Sequence, residues 1–304
     1  MPPVEQGGRL LRPEPAPALK HAAPGMLFVV ATPIGNREDI TLRALRTLKD
    51  ADLIACEDTR RTQSLLQYHQ ISTRVISYHE HNEMTRAPEL VVLMEEGSKI
   101  ALVSDAGVPM ISDPGYRLVR LAIRHNIRVI PVPGPSAFVA SLAVAGLPLD
   151  RFRFVGFLPP KRTARRRSLR AFAGVAETIV FYEAPHRVIE MLEDLAAELG
   201  DRPVVVAREV TKLHEEFLRG PASEVLAKLK KRLSIKGEIT VIAGPFEAPV
   251  VKAAVPPSFI KKEMDRLMSV ERLSERDALK ALARKTGTSK SAVYRQWQAE
   301  KSMG

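Results

Sequence analysis

Across 304 residues the chain sets 46 Lys and Arg against 35 Asp and Glu, for a formal charge of +11, with 45% hydrophobic and 27% charged residues. That composition excludes a disordered chain and describes a folded one, long enough for two α/β lobes and a small appendage. No apolar run approaches the ~20 residues that cross a bilayer, and the positive excess favours an anionic partner such as nucleic acid or a membrane surface. Cys56 is the only cysteine, so no intrachain disulfide forms, which fits a reducing cytoplasm.

Residues 1–25 carry prolines at positions 2, 3, 13, 15, 17 and 24 and show no helical apolar face, the pattern of a disordered tail. They lack the apolar core of a signal peptide, and Glu5 and Glu14 argue against an organelle transit peptide. Met26 to Ala31 is a continuous apolar strand, followed by the turn Thr32-Pro-Ile-Gly-Asn36. Asp39 or Thr41 can cap a helix to about Leu48, with Leu42, Leu45 and Leu48 on one face. A strand from Asp52 to Cys56 ends in Glu57-Asp58-Thr59-Arg60. Further strands at Val75–Ser77, Ile100–Ser104 and Ile127–Val132 alternate with helices around 59–69, 84–95 and 116–125, which means βαβ units and a largely parallel sheet.

Between two of these elements lie two Asp-containing turns, Ser104-Asp-Ala-Gly107 and Ser112-Asp-Pro-Gly115, at the carboxyl end of a buried strand. Open α/β sheets bind ligands at that end. Pro131 to Ala137 then punctuates the chain ahead of an apolar helix from Phe138 to Ala145, with Ser136 where the helix begins. A second series follows, with strands at 152–157, 178–182, 204–207, 216–219 and 238–243 and helices at 185–199 and 222–233. The chain therefore divides into an N-terminal lobe over 26–134, a second lobe over 135–246 and a cleft between them, a favoured place for a ligand. A Pro/Ala/Val-rich linker over 247–257 leads to a basic helical module over 258–304. There Ser274-Glu-Arg-Asp277 has the form of a capping box, and Ala283, Gly287 and Val293 fall at helix-turn-helix spacing with Trp297 closing the core.

Several patterns bear on chemistry. The turn at Gly35 lacks the other glycines of a dinucleotide fingerprint, although Glu57 stands where the ribose-binding acid of that motif would. His79-Glu-His-Asn-Glu83 lacks the spaced third and fourth ligands of a zinc site and reads as a polar loop, so no metal is expected. Eight basic residues and no acid lie between Arg151 and Arg170. After Pro159-Pro160 that run reads as a mobile loop whose Lys161, Arg162, Arg165, Arg166 and Arg167 suit phosphate oxygens. Residues 252–304 add twelve Lys and Arg against six acids, with Lys290 and Arg295 on the second helix of the helix-turn-helix pattern, the one such folds present to a nucleic-acid groove, a protein-interaction module being the alternative.

Taken in order, Thr32–Asn36, Glu57–Arg60, Ser77–Glu83, Ser104–Gly107 with Ser112–Gly115, Pro133–Ala137, Phe181–Arg187 and Arg208–Lys212 resemble the ribosomal RNA small-subunit methyltransferase I family, within the tetrapyrrole methylase superfamily. The likeness covers about residues 26–245. It implies two α/β lobes with S-adenosylmethionine folded between them, a small all-α helix-turn-helix-like C-terminal module, and a cytoplasmic homodimer. The implied activity is 2′-O-methylation of a cytidine ribose in the decoding region of small-subunit (16S) ribosomal RNA. The superfamily's glycine-aspartate-proline loop is Ser104-Asp105-Ala106 here, with Gly107 keeping it flexible. Positions matching cofactor contacts are Pro33, Ser104, Asp105, Ala106, Gly107, Val108, Ile111, Ser136 and Ala137, with Tyr182, Ala207 and Thr240 from the second lobe. A ribose hydroxyl needs a proton acceptor within reach, for which Asp58 and Glu183 are the candidates; capping and pairing with Arg187 or Arg208 are their alternatives. Two further readings stay open: a porphyrinoid methyltransferase, and a non-enzymatic helix-turn-helix regulator that senses a ligand.

Overall fold

The computed structural model describes residues 25–245, 257–286 and 289–301, in two compact units divided after Phe246. The expected tail, the linker and the turn at Gly287 lie outside the described residues, apart from Gly25 and Pro257 at their edges.

The first sheet is built from β1 (Met26–Val30), β2 (Leu53–Cys56), β3 (Val75–Ser77), β4 (Lys99–Val103) and β5 (Arg128–Val132), in the order β3-β2-β4-β1-β5. Every pair is parallel, so all five carboxyl ends share one edge. Successive side chains point to opposite faces. Leu53, Ala55, Ile100 and Leu102 meet Leu90, Met94 and Leu118 from α3 (Glu83–Glu95) and α4 (Tyr116–Arg124) on one face. Ile54, Cys56, Ala101 and Val103 meet Ala44, Leu48 and Leu66 from α1 (Leu42–Asp50) and α2 (Thr59–Tyr68) on the other. Burial on both faces is why these strands read as unbroken apolar runs. Thr41 is the cap of α1, its hydroxyl accepting the Ala44 N–H at 3.1 Å, while Asp39 ends a one-turn 3-10 helix.

The second sheet has the order β6-β7-β10-β8-β9, from β6 (Phe152–Phe157), β7 (Thr178–Glu183), β8 (Pro203–Arg208), β9 (Glu216–Pro221) and β10 (Ile239–Ala243). Only β6 and β7 run parallel; the other three pairs are antiparallel. This sheet departs from the parallel alternation because β9 folds back on β8 directly and β10 then enters between β7 and β8. One face packs on Leu192, Leu195, Val225 and Leu229 of α7 (Val188–Leu199) and α8 (Ala222–Lys230). The other packs on Leu142 of α5 (Ala137–Ala143). The segment expected to be a mobile loop after Pro160 is instead an ordered helix, α6 (Arg162–Arg170), seated on Leu169 and Arg165.

The second unit is three helices, α9 (Pro257–Ser269), α10 (Glu275–Thr286) and α11 (Lys290–Lys301), around Ile260, Met264, Leu282, Val293 and Trp297. Half of the capping box is formed: Ser274 Oγ accepts the Asp277 N–H at 3.2 Å, and the Asp277 carboxylate accepts from the Ser274 hydroxyl at 2.7 Å rather than from its backbone N–H.

Candidate active site

Four loops leave the carboxyl edge of the first sheet and lock together. Thr32 and Gly107 exchange backbone hydrogen bonds of 2.8 and 3.0 Å, and Thr32 Oγ1 donates to the Ser104 carbonyl at 3.0 Å. The Asp58 N–H donates to Asp105 Oδ1 at 3.0 Å. Gly107 stands at φ +83°, and a Cβ there would press on Ile34 at 3.3 Å and face the Pro135 carbonyl at 3.6 Å. The second lobe closes on these loops through the Asn36 N–H, which donates to Thr211 Oγ1 at 3.1 Å, and through Gly35, where a Cβ would collide with the Lys212 stem. Thr211 takes a left-handed φ of +69°, unusual for a β-branched residue, while its hydroxyl accepts the Asn36 N–H and its own N–H donates to Glu215.

Between the lobes lies a cavity of about 310 Å³. Ala106, Gly107, Val108 and Ile111 form its wall on the first lobe, Ser136 and Ala137 line it at the start of α5, and Tyr182 and Thr240 line it from the second sheet. Tyr182 and Thr240 face each other across β7 and β10 in register, and Ala207 completes that rung on β8. Ala207 is fully buried and does not line the cavity. Pro33, Ser104 and Asp105 face a neighbouring polar cavity of about 220 Å³, which meets the first at Ile34, Ala106 and Glu238. Asp105 is occupied there: it accepts the Asp58 N–H and pairs with Arg61 at 3.3 Å.

Among the described residues lining the larger cavity there is no Lys or Arg, while Asp113, Glu183 and Glu238 all do. Glu183 is buried, with Oε1 taking the Ala184 N–H at 2.7 Å and the Arg187 guanidinium at 2.6 Å. Its Oε2 is buried without a hydrogen-bond partner among the described residues. Arg187 therefore takes this carboxylate, and Arg208 goes to Glu216 at 3.1 Å. Asp58 lies elsewhere. It caps α2 through the Arg60 N–H, is gripped by the Arg60 guanidinium at 2.8 Å, and opens on an outer depression with Arg37 and Arg61. Those bonds hold its carboxyl down at about 2, so it is a poor proton acceptor at neutral pH. Asp113 is the acid that the sequence reading passes over, although it sits in the Ser112–Gly115 turn already singled out. Burial, with Glu57 nearby, pushes its carboxyl up to about 6.

The tetrapyrrole (corrin/porphyrin) methylases match residues 26–226 of the chain. A ribosomal RNA small subunit methyltransferase I from Mesorhizobium japonicum is 45% identical over 88% of this chain and 90% of its own length. One from Escherichia coli O157:H7 is 50% identical over 72% of this chain and 77% of its own length. The chain belongs to the ribosomal RNA small subunit methyltransferase I family. Its fold is also that of the methyltransferase CobJ, with a TM-score of 0.56 at 20% identity over 73% of this chain and 95% of that one. The Thermus thermophilus uroporphyrin-III C-methyltransferase complexed with S-adenosylhomocysteine gives a TM-score of 0.52 at 22% identity, over 72% of this chain and 97% of that one. The two-lobed fold expected from the motifs is thus the one observed.

For a member of this family the disposition of basic residues matters, and it differs from the sequence reading. Arg165 is fully buried, with its guanidinium on Asp194 at 2.8 Å and Glu190 at 3.2 Å, so it cannot reach a phosphate. Arg162 shares Asp194 at 3.0 Å, and Arg166 shares Glu198 at 2.6 Å with Arg170. The acids come from α7, remote in sequence, which is why the run looks unopposed on paper. Lys161 and Arg167 are exposed and carry no ion pair among the described residues. Lys290 and Arg295 are exposed on α11. His79 to Glu83 forms a turn in which Asn82 accepts the His79 N–H at 2.8 Å and donates to Ser77, stitching β3 to α3. Among the described residues no group of three or more His, Cys, Asp or Glu is disposed to hold a metal ion.

Proposed function

We propose that the chain transfers a methyl group from S-adenosylmethionine to the ribose 2′-hydroxyl of a cytidine in the decoding region of small-subunit ribosomal RNA. What carries the reading is the conjunction of 45–50% identity to relatives bearing the methyltransferase name with a cavity at the strand ends whose charged lining, among the described residues, is carboxylate only, set among hydroxyl and apolar groups. The donor carries two positive centres, the sulfonium and an ammonium, against one carboxylate, and a cavity with no Lys or Arg among its described lining residues suits that net positive charge. Glu183 Oε2, buried and bare, is an acceptor waiting for such a group, and Gly107 leaves open the space that a Cβ would fill. The residues present therefore fit the donor. Ala106 to Val108, Ile111, Ser136, Ala137, Tyr182 and Thr240 would hold it, while Pro33, Ser104 and Asp105 shape the loops behind.

When bound, S-adenosylmethionine supplies an electrophilic methyl group whose transfer to oxygen releases the neutral thioether. The protein supplies alignment and a place for the proton. Clamping of the loops fixes the geometry in which the oxygen meets the methyl carbon, and positioning of this kind accounts for much of such a rate enhancement. Asp113 accepts the hydroxyl proton: it lines the cavity, and its carboxyl near 6 is mostly ionised at neutral pH yet still basic enough to act. The arginine-gripped Asp58 serves the helix instead.

The same reading makes the chain a cytoplasmic homodimer that works on the assembled or assembling small subunit. Among the described residues no helix is long and apolar enough to cross a membrane. Incubation with methyl-labelled donor and small subunits from cells lacking the modification tests the proposal. Label recovered as 2′-O-methylcytidine is expected; an unlabelled ribosomal RNA alongside measurable donor binding would overturn the substrate, and label on a porphyrinoid would move the activity to the tetrapyrrole class.

A further inference from the structure

We infer that Arg37 and Arg61 form a binding site for the phosphodiester that flanks the target ribose. This rests on the proposed transfer to an RNA ribose and adds where the RNA backbone is gripped. Three hollows run into one another. The donor cavity joins the polar cavity through Ile34, Ala106 and Glu238, and the polar cavity joins an outer depression through Arg37 and Arg61. Charge inverts along that path, from carboxylates around the donor cavity to three guanidiniums, Arg37, Arg60 and Arg61, at the outer end. A nucleotide has the same polarity. Its 2′-hydroxyl sits on the carbon next to the one that bears the 3′-phosphodiester, so a hydroxyl presented to the donor leaves a phosphate one step outward.

The individual side chains are prepared for an anion. Arg37 is exposed and makes no ion pair with a carboxylate among the described residues. Its guanidinium is nonetheless held in place, 4.8 Å above the Tyr68 ring and 3.4 Å from Ser64 Oγ. Arg61 is 65% exposed and spends one contact, at 3.3 Å, on Asp105, which leaves most of its five donors free. Among the described residues lining the depression the one carboxylate, Asp58, is neutralised by the two-pronged grip of Arg60 and does not oppose a phosphate. Planar guanidiniums fixed in this way match phosphate oxygens in pairs. Arg61 stands in the first turn of α2, while Arg37 lies over its later turns at Ser64 and Tyr68.

The test uses the full chain, small subunits lacking the modification, and the variants Arg37→Ala, Arg37→Lys and Arg37→Ala/Arg61→Gln. Donor affinity is read by calorimetry, and RNA affinity and KM over a series of salt concentrations. Expected for Arg37→Ala is a roughly tenfold rise in the RNA Kd and a salt slope shallower by about one, with donor affinity unchanged, partial recovery in the Lys variant and a larger loss in the double variant. Wild-type salt slope and RNA KM in a double variant that melts like the wild type would overturn the site. Wild-type protein that leaves RNA unmethylated would instead overturn the function on which the site rests, so the two failures are told apart.

Discussion

Two carboxylates a loop apart illustrate how environment assigns roles. Asp113 and Asp58 are the same group, yet burial drives one up to about 6 and arginine bonds drive the other down to about 2. Asp113→Asn should cut single-turnover methyl transfer by roughly 100-fold or more while leaving donor affinity close to wild type, whereas Asp58→Asn should spare the chemical step. The wild-type rate should fall as pH drops through about 6, where Asp113 takes up a proton. Stability runs the other way. With the folded-state value raised above the ordinary 3.8, the contribution of Asp113 is complete below that pH and is lost as pH rises through about 6. Asp113→Asn should therefore melt at a higher temperature than wild type at neutral pH and lose that advantage in acid. Gly107→Ala belongs to the same scale: at φ +83° and pressed against Ile34, the added methyl should cost about 1–2 kcal/mol in chemical denaturation and weaken donor binding.

At the scale of elements, α6 is the instructive case. Its arginines read as an RNA surface, but one side of the helix is laced to α7 by Arg165–Asp194, Arg162–Asp194 and Arg166–Glu198. Arg165→Met strips the buried Asp194 of its closest partner and should destabilise the fold by about 3–5 kcal/mol without altering the salt slope of RNA binding. Lys161→Ala with Arg167→Ala should do the reverse, lowering the slope while leaving the unfolding midpoint in place. Denaturant melts paired with RNA titrations separate the two classes. The loop after β4 shows the same division of labour on a smaller scale, since its Gly107, Met110, Ser112 and Gly115 all take positive φ, turning the chain so that Ile111 and Asp113 face the cavity.

For the whole molecule, the α/β unit carries its own cores and the cavity between its two sheets, and the helical unit carries a separate core. Removing residues 247–304 should leave donor affinity nearly intact and reduce both RNA affinity and its salt dependence; equal RNA binding by the truncated chain would give the helical unit another task. Much of this organisation is written locally. The runs from Met26, Leu53 and Ile100 announce strands buried on both faces, Thr41 and Ser274 announce helix starts, and the motifs at the strand ends announce where the loops enclose a cavity, because each depends on the periodicity and backbone preference of a few neighbouring residues. Which side chain meets which partner across the chain is instead set by the packing of distant segments. Arg165 is withdrawn from solvent by acids on α7, and the second sheet turns antiparallel when β10 enters between β7 and β8. Asp113 rather than Asp58 faces the cavity because the latter is bound by its own helix and Arg60. Burial and charge environment arise from packing between distant segments, and these set the ionisation and reach of every group that does chemistry.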